Sequence, residues 1–454
     1  MSISNAIIFV PKELWTCIFG LAVEDKEQPP SQITQNISLT CKHWKDITFD
    51  TLLPSYWNCA KSVLYTYFPM ENVDQKINGI VTQLGAEHTA LDLLKLLSKK
   101  LGANSLMVLP CQYEHHILDT ELEKMWDTIS SGINFRQGCQ PSSASEIRTW
   151  LKEPSNKPLI QDVTILNLSE LNLQLLPPEI GSFTNLQTLY LNDNQLASLP
   201  KEFGNLPNLK YLSLANNQLA SLPKEFGNLV NLQRLFLNNN QLALLPQEFG
   251  NLVNLLELSL PNNQIASMPQ EFGNLTNLQK LSLENNQLAL LPQEFGNLVN
   301  LLELCLANNQ LASLPQEFGK LTNLQWLYLQ NNQLASLPQE FGKLVNLQGL
   351  CLNNNQLTSL PKEFGNLTNL QWLYINNNHL ASLPQEFGNL TNLKWLWLNN
   401  NQLTSLPQEF GNLVNLQWLY LDSNEIASRP QVLDNLTNLQ KLSLEGNPCY
   451  TAPH

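Results

Sequence analysis

The chain has 454 residues, 43% of them hydrophobic, and a formal net charge of −13 at pH 7. That length allows two or three structural parts, and an acidic balance with few arginines argues against nucleic acid as a partner. No apolar run approaches transmembrane length, and residues 6–10 are too short and lack the basic flank of a signal peptide, so neither membrane insertion nor a leader is expected. The eight cysteines form no C-x-x-C pair and no close pairing near either end, which favours a reducing, cytoplasmic setting.

The first predicted element is a small helical module over residues 8–57. Pro11 stands where proline favours a helix start. Leu14, Ile18 and Leu21 follow at helical spacing, with Trp15 and Phe19 alongside. A polar, proline-bearing stretch interrupts the pattern. Ile37, Cys41, Trp44 and Ile47 then form a second apolar face. Two or three helices of this size are too few to house an enzyme. The order Pro11, Glu13, Leu14, Ile18, Phe19, then Leu39, Cys41, Lys42, Trp44, then Asp50 and Leu53 resembles the F-box. The resemblance covers about 45 residues and implies binding to a Skp-type adaptor of a cullin–RING ubiquitin ligase. Pro11, Leu14, Ile18, Phe19, Leu39 and Trp44 are the residues it would place at that contact. The sequence departs from the family in one place, where EDKEQPPSQITQN replaces the compact middle of the motif.

Residues 58–120 read as a helical linker. Leu91, Leu94, Leu97 and Leu101 make one apolar stripe, most simply a core face. Cys111, Glu114, His115, His116 and Asp119 cluster in sequence, but adjacent histidines leave a helix on different sides and no second ligand pair has useful spacing, so no metal site is expected. Residues 121–162 then read as a helical cap. Ser143 and Glu146 have the spacing of a capping box, and Trp126, Ile129, Ile147 and Trp150 are the apolar residues available to cover an open end.

From residue 163 to 448 one pattern recurs: L-x-x-L-x-L-x-x-N-x-L-x-x-L-P-x-E-F-G-x-L-x-N. Its asparagine falls at Asn194 and then every 23 residues to Asn447, and one irregular copy precedes it with Leu171 in the asparagine's place. Thirteen copies result. The pattern is identified as a leucine-rich repeat, and the resemblance implies an α/β solenoid with a parallel β-sheet on its concave face, preceded by an all-α N-terminal region. The residues themselves support this. In LQWLYL, alternation sends Leu327 and Leu329 inward and Trp326 and Tyr328 outward. Stacked strands about 4.8 Å apart give an arc on the order of 60 Å. The asparagine amide can satisfy backbone groups of the turn after the strand. The Leu-Pro step interrupts helix, Phe318 and its equivalents fill the convex side, and Gly319 is expected to permit the tight return. A short tail, 449–454, closes the array, with Tyr450 as the apparent cover.

The copies are so alike that their differences carry information. The first outward column runs through Arg234, Glu257, Lys280 and Glu303, whose alternating signs can pair along the sheet. Toward the C-terminal end the two columns become aromatic: Trp326, Tyr328, Trp372, Tyr374, Trp395, Trp397, Trp418 and Tyr420, with Gly349 and Cys351 expected to leave a notch between them. Half of the chain's ten tryptophans are here, on a surface that water should touch. Such contiguous aromatic patches mark partner sites. Cross-strand stacking that merely stabilises the array is the competing explanation. Cys305 and Cys351 share this face but lie two strands apart, too far for a disulfide. Eleven glutamates in the P-x-E slot, Glu179 to Glu409, line one edge and read as a solubilising border.

The sequence is compatible with three functions. The first is an adaptor whose F-box-like module recruits a Skp-type subunit while the concave face holds a protein or peptide target. Because these repeats look more like bacterial arrays, it takes the form of a bacterial effector acting in a host cytosol. The second is an interaction scaffold with no ubiquitin link, the N-terminal region serving only as a cap. The third, a repeat-bearing enzyme, is disfavoured by the absence of a Walker loop, H-E-x-x-H or G-x-S-x-G. No catalytic residue and no cofactor are expected.

Overall fold

A computed structural model describes residues 103–131 and 140–451, with side chains described from residue 117. The F-box-like segment 8–57, with Pro11, Leu14, Ile18, Phe19, Leu39 and Trp44, lies outside the described residues, as does the linker up to residue 102. The side chains of Cys111, Glu114, His115 and His116 lie outside them too. The chain divides between Thr120 and Glu121, and the second part, Glu121–His454, contains the whole array.

Helix α1 (Ala103–Ser130) buries Leu122, Met125, Trp126 and Ile129 at its end. Helix α2 (Ala144–Lys152) starts with the expected capping box: Ser143 accepts from the Glu146 N–H, and the Glu146 carboxylate accepts from the Ser143 N–H. The Ser142 N–H and hydroxyl also donate to the Glu146 carboxylate, and these bonds first, then the one from the Ser143 N–H, hold that carboxyl below its ordinary value. Helix α3 (Lys157–Gln161) leads into the first repeat. Trp126 meets Trp150 edge to face, ring centroids 5.0 Å apart, and the Arg148 guanidinium bonds the Glu179 carboxylate at 2.7 Å. This cap joins the core of the array without a break. It supplies the neighbour that the first repeat otherwise lacks.

Thirteen three-residue strands follow, from β1 (Ile165–Asn167) to β13 (Lys441–Ser443), all parallel and in sequence order. The register is unbroken, so Trp326, Gly349, Trp372, Trp395 and Trp418 stand side by side on β8 (Trp326–Tyr328), β9 (Gly349–Cys351), β10 (Trp372–Tyr374), β11 (Trp395–Trp397) and β12 (Trp418–Tyr420). Each repeat then turns through an extended proline into a five-residue 3-10 helix, as at Pro315 and Gln316–Lys320. The proline that interrupts the preceding segment is thus also the launch point of a helical turn, its fixed φ matching the N-terminal position.

Asparagine does most of the polar work. Asn332 Oδ1 accepts from the Leu311 N–H at 3.0 Å, while Nδ2 donates to the carbonyls of Leu306 at 2.9 Å and Leu329 at 3.0 Å. One buried amide therefore pins three backbone groups across two repeats. A second ladder was not anticipated. The residue before each ruler asparagine adopts φ near +55°, from Asp193 through Asn216 to Asn400. That conformation suits asparagine and aspartate better than other residues with a Cβ. Each of these amides donates to the side-chain oxygen of the previous repeat, from Asn400 back to Asp193. The amides of Asn192 and Asn216, in that order, hold the Asp193 carboxyl below its ordinary value.

On the convex side ten phenylalanines, Phe203 to Phe410, stack nearly parallel with centroids 5.9 to 6.4 Å apart. That spacing exceeds the roughly 4.8 Å between strands, so the array bends with the strands inside. Two expectations need correction here. Gly319 has an ordinary negative φ, so it is not required for the turn itself. A Cβ there would collide with the carbonyl oxygen of Glu340 in the next repeat. The glycine permits close stacking of the 3-10 turns. At the far end, Tyr450 is 62% exposed, and it is Cys449, on the helical turn Pro448–Thr451 (α4), that packs on the core.

Candidate partner-binding surface

The strands fix where the concave side chains start, since β8, β10 and β11 each bury their middle leucine and turn the residues on either side outward. The structure places all eight predicted aromatics on this face. Trp326, Tyr328, Trp372, Tyr374, Trp395, Trp397 and Tyr420 are half-buried, and Trp418 is exposed.

They form two stacks. In the first column Trp326 lies 5.1 Å from Trp372, and Trp372 lies 5.2 Å from Trp395. Trp326 and Trp372 belong to strands separated by β9, so the contact requires the indoles to lean across Gly349. A Cβ on Gly349 would occupy the space of the Trp326 six-membered ring. The expected notch at Gly349 is therefore filled, because the missing side chain is what lets two indoles meet over it. In the second column Tyr374, Trp397 and Tyr420 stack at 4.0 and 5.5 Å. Here a gap does remain, since Cys351 separates Tyr328 from Tyr374 and no ring crosses it. Burial raises the hydroxyl pKa of both tyrosines. It also pushes the Cys305 and Cys351 thiols up to about 12 and about 11, so both stay protonated at neutral pH; the two, on strands separated by β8, are free cysteines.

The adjoining stretch differs. Arg234 pairs with Glu257 at 3.6 Å and Lys280 with Glu303 at 3.7 Å, all substantially exposed. Pairs of this kind contribute about 0–1 kcal/mol. Farther toward the N-terminus the sequence reading overlooked a smaller aromatic group. Tyr190, Tyr211 and Phe236 contact one another at 5.2 and 5.4 Å on adjacent strands. Beside them a shallow cavity of about 420 Å³ is lined by Tyr190, Tyr211, Asn192 and Asp193, among others. Its signal lies in the same two outward columns, as three aromatic residues on neighbouring strands.

Among the described residues, no cluster of histidine, cysteine and carboxylate side chains could hold a metal ion, and no helix is long and apolar enough to cross a membrane.

The profile described as "Leucine-rich repeat region" matches residues 201–304, 247–335, 284–378 and 362–450, and a second leucine-rich repeat profile matches residues 161–219. No curated protein sequence matches the chain. Among solved structures it is similar to an internalin from Listeria monocytogenes, at 26% identity and a TM-score of 0.56, over 66% of this chain and 87% of that one. It is also similar to the ectodomain of a plant membrane receptor kinase from Arabidopsis thaliana in complex with Casparian strip integrity factor 2. There the identity is 33% and the TM-score 0.56, over 72% of this chain and 44% of that one. The Toll–Spätzle complex of Drosophila is a third, at 31% identity and a TM-score of 0.53, over 61% of this chain and 40% of that one.

Proposed function

The chain belongs to the leucine-rich repeat family, whose members act as protein-interaction scaffolds, and from that premise we propose that it is a non-enzymatic adaptor holding a protein or peptide on its C-terminal concave face. The observation that carries this reading is the aromatic patch on β8–β12. The repeats are otherwise nearly uniform, yet here both outward columns turn to tryptophan and tyrosine on the side of the sheet that faces solvent. Large aromatic side chains supply much of the binding energy at protein interfaces. The stacks order the rings before a partner arrives, which lowers the entropy lost on binding. Two of the similar structures are complexes with a second protein or peptide, which supports the same class of function.

The finer reading adds the F-box-like segment: through Pro11, Leu14 and Ile18 it would dock a Skp-type adaptor in a host cytosol and bring the target to a ubiquitin ligase. One observation favours the simpler alternative, a scaffold without that link. Residues 121–162 already cap the array with α1–α3, so the described helices have a structural task of their own. Affinity purification from eukaryotic lysate separates these readings. The full chain is compared with the Trp372→Ala, Trp395→Ala, Trp418→Ala variant and with a Pro11, Leu14, Ile18 triple-alanine variant. Loss of the target with the first and of the Skp-type adaptor with the second is the expected result. Target retention by the tryptophan variant defeats the patch, and absence of the adaptor from the wild-type sample defeats the ligase link.

A further inference from the structure

Ten residues in the turns that follow the strands stand in single file along the array. Asp193 comes first, then Asn216, Asn239 and every 23rd residue to Asn400, all exposed and all with φ between +54° and +58°. Nine hydrogen bonds join them, each from the Nδ2 amide of one repeat to the side-chain oxygen of the repeat before, at 2.5 to 2.8 Å. Every bond runs the same way, toward Asp193.

Nothing in an asparagine chooses that direction. A carboxamide donates from its nitrogen and accepts at its oxygen, so a column of them closes equally well with its donors turned toward either end. The choice falls to the residues that terminate the file. At the far end Ser423 holds the next position, with φ of +51°, and a hydroxyl both donates and accepts. It is indifferent. At the near end an ionised carboxylate only accepts. Asn216 must give it an N–H, which turns the Asn216 oxygen to Asn239, and the same condition passes rung by rung to Asn400. Reversal would set the Asn216 oxygen against the carboxylate. Asn192 donates to the other Asp193 oxygen at 2.7 Å, so the carboxylate is held from two sides. The aligned amides point their positive ends at it, as peptide groups do at a helix N-terminus, where an anion is stabilising. Bonds in such a chain polarise and strengthen one another.

We propose that Asp193 is the directional anchor of this ladder: its carboxylate holds nine amides in one orientation, and an uncharged, donating residue in its place lets the column reverse as far as Asn400. Nine rungs at about 4.8 Å span on the order of 40 Å. That is several Debye lengths at about 0.1 M salt, so the influence travels through the bonds and not through the field of the charge. Asn400 follows β11, so the far end of the ladder lies in a repeat of the aromatic patch. The direction of the ladder is independent of what that patch binds.

The full chain, isotope-labelled only at asparagine, shows each side-chain amide by NMR, with signals assigned through single-site replacements. In Asp193→Asn, at about 0.1 M salt, the Nδ2 signals of Asn308 and Asn400 are expected to shift or split. Changes confined to Asn192 and Asn216 overturn the anchor. Asn308→Gly then cuts the ladder in its middle, and glycine adopts the positive φ without strain. Asn239 and Asn377 lie at equal distance along the ladder from the cut, on opposite sides. Asn377, severed from Asp193, is expected to change while Asn239 stays as in wild type. An equal response of the two, or none at Asn377, overturns the one-way transmission. Both replaced residues are exposed and the buried asparagines are untouched, so the solenoid itself is preserved.

Discussion

The concave surfaces of the four strands β4 (Arg234–Phe236), β5 (Glu257–Ser259), β6 (Lys280–Ser282) and β7 (Glu303–Cys305), and of β8–β12, stand on the same leucines, asparagines and phenylalanines, yet they carry opposite chemistry. In the first stretch Arg234, Glu257, Lys280 and Glu303 pair in water. In the second, indoles and phenols stack at 4.0 to 5.5 Å. Since the buried parts of the two stretches are so alike, the frame places no demand on the outward positions. Those positions were available for other uses, and the difference between the stretches is a difference in surface chemistry alone.

The largest test of that comparison lies below the surface. Phe249, in the repeat that precedes β5 (Glu257–Ser259), and Phe318, in the repeat that precedes β8, occupy equivalent buried stacks. Alanine at either should cost about 3–5 kcal/mol in denaturant unfolding, and the two costs should agree. A large inequality would show that the frame is not uniform. Gly319→Ala should come next, at about 1–3 kcal/mol by the same measurement, because the Glu340 backbone must move. An insignificant change would mean that the stacking of the 3-10 turns has slack.

Above the frame the effects should shrink and diverge. Trp395→Ala should remove about 0.5–1.5 kcal/mol of stacking per lost ring pair while sharply weakening target capture. Gly349→Ala should separate Trp326 from Trp372, reducing exciton coupling between indoles in the near-ultraviolet circular dichroism. An unchanged spectrum would disprove the contact across β9. Arg234→Gln should alter stability by less than about 1 kcal/mol, less still at high salt, and leave target capture intact. Finally, Cys305 and Cys351, with pKa raised by burial to about 12 and about 11, should resist alkylation at pH 8. Their reaction should accelerate only as pH climbs toward those values, because the thiolate is the reactive form. Rapid labelling at pH 8 would contradict the burial.

Much of this is legible in the sequence. The alternation in LQWLYL fixed the facing of Trp326 and Tyr328, and the capping-box spacing of Ser143 and Glu146 marked the start of α2. The readings that failed were those needing knowledge of a neighbour. Gly319 looked like a turn residue because glycine is most often needed for backbone freedom. Its actual constraint is a carbonyl 21 residues away in the next repeat. Gly349 reads as a gap in the sequence because an absent side chain suggests empty space. Tyr450 looked like a cover because aromatic residues near a terminus often are.

The sequence by itself determined the frame: the period, the thirteen strands, their inward and outward faces, and the buried asparagine amides. A strict repeat leaves one consistent way to bury its leucines and satisfy its turns. Only the tertiary structure decided how the outward side chains meet. A strand constrains where a Trp begins, but its rotamer depends on what stands on the strands to either side. That is why the indoles of Trp326 and Trp372 close over Gly349, and why the amides from Asn400 to Asp193 join into a second ladder.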